Sequence, residues 1–73
     1  MIDVTIQYGT TEINKEVSDA TTVGDILTSE VYQTVLGFGS NVQARVNGEV
    51  VDNSCVLEDG DELTVETKAN SKA

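Results

Sequence analysis

Between Ile2 and Val65 the apolar residues of this chain change their spacing twice, from every second position to helical spacing and back again. That order restricts the chain to a sheet interrupted by a helical segment. Ile2, Val4, Ile6 and Tyr8 alternate with Asp3, Thr5 and Gln7, the pattern of a strand buried on one face. Gly9 and Thr10 break it. From Thr11 to Val17 the alternation resumes, with Ile13 and Val17 on one side and Glu12, Asn14 and Glu16 on the other, so the first 17 residues read as a hairpin. Lys15 falls on the apolar side, where an inward charge protects an edge strand from pairing with another chain.

Thr22-Val23-Gly24-Asp25 has the spacing of a capping box, with an acidic residue in the first turn where the helix dipole favours it. A helix is expected to start there, with Val23, Ile26 and Leu27 as its inner stripe and Gly37 as its stop. After a loop over 37–41, Val42, Ala44 and Val46 alternate with Gln43 and Arg45 in a third strand. Asn47-Gly48 is a strong hairpin signal leading into Glu49-Val50-Val51. The stretch from Asp52 to Asp61 is irregular and ends in the turn Glu58-Asp59-Gly60-Asp61. The last strand is expected over Glu62 to Lys68 with Leu63 and Val65 inward, followed by a flexible polar tail over 69–73.

The helical segment contains one inconsistency. At about 100° per residue, Val23, Ile26 and Leu27 share a face, whereas Val31, Tyr32, Val35 and Leu36 centre on a direction rotated by well over a quarter turn. A straight helix cannot bury both sets. Either it breaks near Ser29 and a second short helix covers the end of the sheet, or Tyr32, Leu36 and Phe38 remain exposed as a protein-contact patch. Those three residues are the candidate contact site.

Composition removes several function classes. The 73 residues include no histidine and one cysteine, Cys55, so neither a zinc cluster nor a Cys/His or Ser/His nucleophile pair can be assembled within the chain. An internal disulfide is impossible, which suits a reducing compartment. No basic region followed by an apolar stretch opens the sequence, and no apolar run approaches the ~20 residues of a membrane span, so a cytoplasmic protein with no membrane partner is expected. Thirteen Asp and Glu against four Lys and Arg give a formal charge of −9, which repels phosphates and argues against nucleic acid as a partner. A basic protein surface is the partner such a charge permits. The acidic residues of 52–62 lack the spacing of a calcium loop, and Gly24, Gly37 and Gly39 lack the lysine and hydroxyl of a phosphate loop. No cofactor, metal or catalytic residue is therefore assigned. Cys55, with no neighbouring cation, reads as a small half-buried hydrophobe.

The element order of strand, strand, helix, strand, short strand, strand is that of an α+β β-grasp, in which a mixed sheet wraps one main helix. Val46-Asn47-Gly48-Glu49-Val50-Val51-Asp52, followed by Val56-Leu57-Glu58-Asp59-Gly60-Asp61-Glu62-Leu63-Thr64-Val65, resembles the ending of the sulfur carrier proteins of thiamin and molybdopterin biosynthesis and of TGS domains, within the ubiquitin-like family. The resemblance implies one β-grasp domain over 1–68, with the first and last strands adjacent and parallel at the centre of the sheet. The carriers finish in Gly-Gly, whose carboxylate is activated; here the tail reads Lys68-Ala69-Asn70-Ser71-Lys72-Ala73, so no conjugation site is transferred. Ubiquitin-like modifiers also recruit partners through an aliphatic patch on the outer sheet face. The outward positions here are Asp3, Thr5, Gln7, Gln43, Arg45, Glu62, Thr64 and Glu66, a polar and acidic face. The expected function is a non-catalytic protein-binding or assembly module. The alternatives are a sulfur-carrier-like protein with an atypical terminus and a structural component of a larger assembly such as a virion.

Overall fold

A computed structural model of the chain describes residues 1–39 and 41–67. Seven elements follow in order: β1 (Ile2–Tyr8), β2 (Thr11–Val17), α1 (Val23–Leu27), α2 (Glu30–Leu36), β3 (Val42–Val46), β4 (Glu49–Val51) and β5 (Glu62–Thr67). The strands form one mixed sheet in the order β2-β1-β5-β3-β4. β1 and β5 run parallel, with Ile6 opposite Leu63 and Tyr8 opposite Val65, and every other pairing is antiparallel. This is the α+β β-grasp of the ubiquitin-like proteins. Lys68, expected at the end of the last strand, and the tail over 69–73 lie outside the described residues.

The alternation in β1 reads directly onto the sheet, since Val4 and Ile6 are buried while Asp3 and Gln7 are exposed. Ala44, Leu63 and Val65 enter the same face from β3 and β5, and Val23, Ile26, Leu27 and Leu57 cover it. The capping box is present: Thr22 Oγ1 accepts from the Asp25 amide at 3.2 Å, and Asp25 Oδ2 accepts from the Thr22 amide at 3.0 Å. The amide of Gly24 meets the carbonyl of Asn53 at 2.9 Å, which fastens the start of α1 to the irregular 52–61 segment.

The helix divides at Ser29. The Gln33 side chain donates to the carbonyl of Leu27 at 2.8 Å, occupying an acceptor that a continuous helix would have used itself. α2 is thereby free to rotate about the break and present Leu36 to the core, and it ends at Gly37 with φ of 86°, a conformation glycine adopts without a Cβ clash. Beyond it Phe38 turns back inward against Tyr8, with ring centroids 5.6 Å apart at a 54° tilt.

Two turns at the far end of the sheet hold each other. Asn47 (φ 53°) and Gly48 (φ 91°) form the β3–β4 turn. The Asn47 amide group donates to Asp61 Oδ1 at 3.1 Å, and its oxygen accepts from the Glu62 amide at 3.0 Å. Asp61 Oδ2 in turn accepts from the Glu58 amide at 2.8 Å, and Asp59 Oδ1 from the Asp3 amide at 2.8 Å. Asn47, Asp59 and Asp61 of the carrier-like motif thus hold the turns at this end of the sheet.

Candidate functional site

The three expected contact residues do not form an exposed patch. Leu36 and Phe38 are 5% and 4% exposed and belong to the core, while Tyr32 is half-buried and packs against it. The correction has a physical cause: once α2 turns at Ser29, the side of the helix that includes Leu36 covers the end of the sheet. The apolar residues left outside are Val31 (65% exposed) and Val35 (55%), one turn apart, which line a shallow depression with Glu30 and Thr34.

The outer sheet face carries a hydrogen-bonded group of polar side chains. Cross-strand registers place Glu12, Gln7, Thr64, Arg45 and Val50 in one row spanning all five strands, about 19 Å at the usual strand spacing. In the neighbouring row Gln43 faces Glu66. Glu66 Oε1 accepts from Gln43 Nε2 at 2.6 Å and from Arg45 Nε at 3.0 Å, and Arg45 Nη1 donates to the carbonyl of Gly48 at 3.3 Å. Both donors favour the ionised carboxylate, Gln43 more strongly, so Glu66 is held below the ordinary glutamate pKa.

Beside this cluster β4 stops at Val51 while β3 continues to Val42, leaving an open groove of about 460 Å³ lined by Val42, Gln43, Val50, Val51, Asp52 and Asn53. Asp52 is fixed at its rim, with Oδ1 accepting from the Ser54 hydroxyl at 2.6 Å and from the Ser54 amide at 3.0 Å. The hydroxyl and then the amide hold its pKa below the ordinary aspartate value. Asp52 reads as a turn residue in the sequence; pairing with Arg45 across the β3–β4 hairpin puts Val50, two positions before it, on the outer face. Val50 is 56% exposed. Cys55 is half-buried against the core.

Among the described residues no three His, Cys, Asp or Glu side chains come together to hold a metal ion. No helix is long and apolar enough to cross a membrane.

No protein-family model matches the chain, and no curated protein sequence does either. Solved structures do. The chain is similar to the ubiquitin of Caldiarchaeum subterraneum at a TM-score of 0.72 and 17% identity, covering 93% of this chain and 94% of that one. It is similar to small archaeal modifier protein 1 of Haloferax volcanii at a TM-score of 0.73 and 15% identity, covering 94% and 100%. It also resembles the ubiquitin-like domain of an Arabidopsis thaliana protein at a TM-score of 0.69 and 18% identity, covering 99% and 82%. At such identities the likeness is one of fold.

Proposed function

We propose that this chain is a non-catalytic protein-binding or assembly module whose contact surface is the outer face of its sheet, in a cytoplasmic setting that keeps the Cys55 thiol reduced. The observation that carries this reading is the Gln43–Glu66–Arg45 cluster: three side chains are locked onto one another on an open face, where they contribute nothing to the core. Exposed pairs of this kind add ~1 kcal/mol or less to stability, but fixed charges direct encounter with a complementary surface. Capture from native lysate on the immobilised full chain, followed by mass spectrometry, is the test, with an Arg45→Glu, Gln43→Lys variant as control. A partner retained by the native chain and lost by a variant that melts normally supports the reading. Identical capture by both moves the contact off this face.

A second reading, a sulfur-carrier-like or conjugated protein, draws on the motif from Val46 to Val65 and on the likeness to a protein named as a modifier. It is tested by intact mass after incubation with an activating enzyme and ATP. A mass gain at the terminal carboxylate would replace the binding-module reading.

A further inference from the structure

Asn47 is followed by glycine, whereas Asn14, Asn41, Asn53 and Asn70 precede lysine, valine, serine and serine. With no Cβ on the next residue, the Gly48 nitrogen is the least obstructed of these in reaching an asparagine side-chain carbonyl carbon. Asn47 and Gly48 are also exposed, so water reaches them. Attack by that nitrogen closes a flat five-membered ring, which requires the Gly48 nitrogen to stand on the same side of the Asn47 Cα–C bond as Cβ. The folded turn forbids this. A φ of 53° places Asn47 in the left-handed region, where ψ is about +47° and the following nitrogen stands nearly opposite Cβ. The carboxamide is held as well, since Nδ2 donates to Asp61 Oδ1 at 3.1 Å, the side-chain oxygen accepts from the Glu62 amide at 3.0 Å, and the Asn47 backbone amide donates to the Glu62 carbonyl at 2.9 Å.

We propose that Asn47 is a site of spontaneous deamidation, closed by the folded β3–β4 turn and opened when that hairpin detaches from the start of β5. In the opened chain the Gly48 nitrogen bonds to Asn47 Cγ, the Cγ–Nδ2 bond breaks, and ammonia leaves carrying the former Gly48 amide proton. Water then adds across one carbon–nitrogen bond of the ring. Addition at Cγ gives aspartate, and addition at the Asn47 backbone carbonyl carbon gives isoaspartate. Neither product rebuilds the clamp. Aspartate offers only acceptors where Asn47 Nδ2 met Asp61 Oδ1, which sets two carboxylates against each other. Isoaspartate lengthens the backbone by one carbon inside a two-residue turn whose geometry fixes the register of β3 and β4. Conversion therefore makes a transient opening of this end of the sheet permanent. It also disturbs the outer face, because Arg45, which holds Glu66, donates to the Gly48 carbonyl at 3.3 Å.

The test follows Asn47 in the full chain at mildly alkaline pH, with and without guanidinium chloride, beside a blocked peptide of residues 43–50 in both solvents. Intact mass reports the loss of ammonia and gain of water, and peptide mapping separates aspartate from isoaspartate. In guanidinium the chain is expected to convert at the peptide's rate, and in buffer about ten-fold or more slowly, because only the opened fraction reacts. Asp61→Ala, which releases Nδ2, is expected to speed conversion in buffer and leave the denatured rate unchanged. Asn47→Asp is expected to lower Tm at neutral pH. Adding Asp61→Asn exchanges donor and acceptor across the same contact and is expected to restore Tm towards native. Equal rates for folded and denatured chains, faster conversion at another asparagine, or no acceleration by Asp61→Ala would overturn the inference. So would an Asn47→Asp protein as stable as native, or a double variant no more stable than Asn47→Asp alone.

Discussion

Asn47 and Asp61, 14 residues apart, are joined by a 3.1 Å hydrogen bond that ties the β3–β4 turn to the turn feeding the central strand β5. The same Asn47 side chain accepts from the Glu62 amide at 3.0 Å, so one residue satisfies two groups of the neighbouring loop while holding a left-handed backbone. Its two roles separate experimentally. Asn47→Gly keeps the backbone and loses the clamp, whereas Asn47→Ala loses both. Urea melts are expected to rank native above Gly above Ala, with Ala about 2 kcal/mol below native. A Gly variant as stable as native would mean that the clamp contributes nothing.

Gly24 is required for a different reason. A Cβ there would lie 3.0 Å from both the Cβ and the carbonyl oxygen of Asn53. In an open helix Gly→Ala is favourable by up to about 1 kcal/mol. Here the change is expected to destabilise by about 1–2 kcal/mol, because the obstruction is backbone and the Gly24–Asn53 hydrogen bond must lengthen. A stabilised Gly24→Ala protein would show that the 52–61 segment yields freely.

The division of α2 into a buried and an exposed side predicts opposite outcomes for neighbouring residues. Leu36→Glu places a carboxylate in the core of a domain with only a few kcal/mol to spare and is expected to abolish the folded far-ultraviolet dichroism. Val35→Glu is expected to melt within about 0.5 kcal/mol of native. Two similar melts would place the helix break elsewhere than at Ser29.

Glu66 gives the pH dependence a definite sign. Its folded pKa is lowered, so its contribution to stability is present above the unfolded value and is lost as pH falls through the lower folded value. The stability gap between native and Glu66→Gln proteins is therefore expected to be widest near neutral pH and to close below about pH 4.3, the ordinary glutamate range. Carboxyl NMR titration checks it directly: Glu66 is expected to titrate below the ordinary glutamate value, and Gln43→Val to bring it upward.

Thirteen carboxylates against four basic side chains should repel one another in the folded state. Among the described residues the two ion pairs are Met1–Asp19 through the terminal ammonium and Arg45–Glu66. Screening acts over ~10 Å at about 0.1 M salt, and relief of the wider repulsion is expected to exceed the weakening of these two pairs, raising Tm between low and moderate NaCl. A fall in Tm would mean that favourable pairing dominates.

The elements of this fold were legible because their causes are local. Alternation in Ile2–Tyr8, the Thr22–Asp25 cap and the Asn47-Gly48 turn each depend on residues within a few positions of one another, and the carrier-like motif supplied the parallel β1–β5 pairing. Sequence periodicity also showed that the helical segment could not bury both apolar sets. Which set turned inward was decided by tertiary structure: Leu36 and Phe38 are in the core because α2 rotates at Ser29 over the sheet end, and Val31 and Val35 are out. The fixed carboxylates have the same origin. Glu66 is held by Gln43 and Arg45 from 23 and 21 residues away, and the groove exists because β4 stops short of β3. Composition marks such residues only as acidic; a charge becomes a positioned acceptor when distant strands bring its donors alongside.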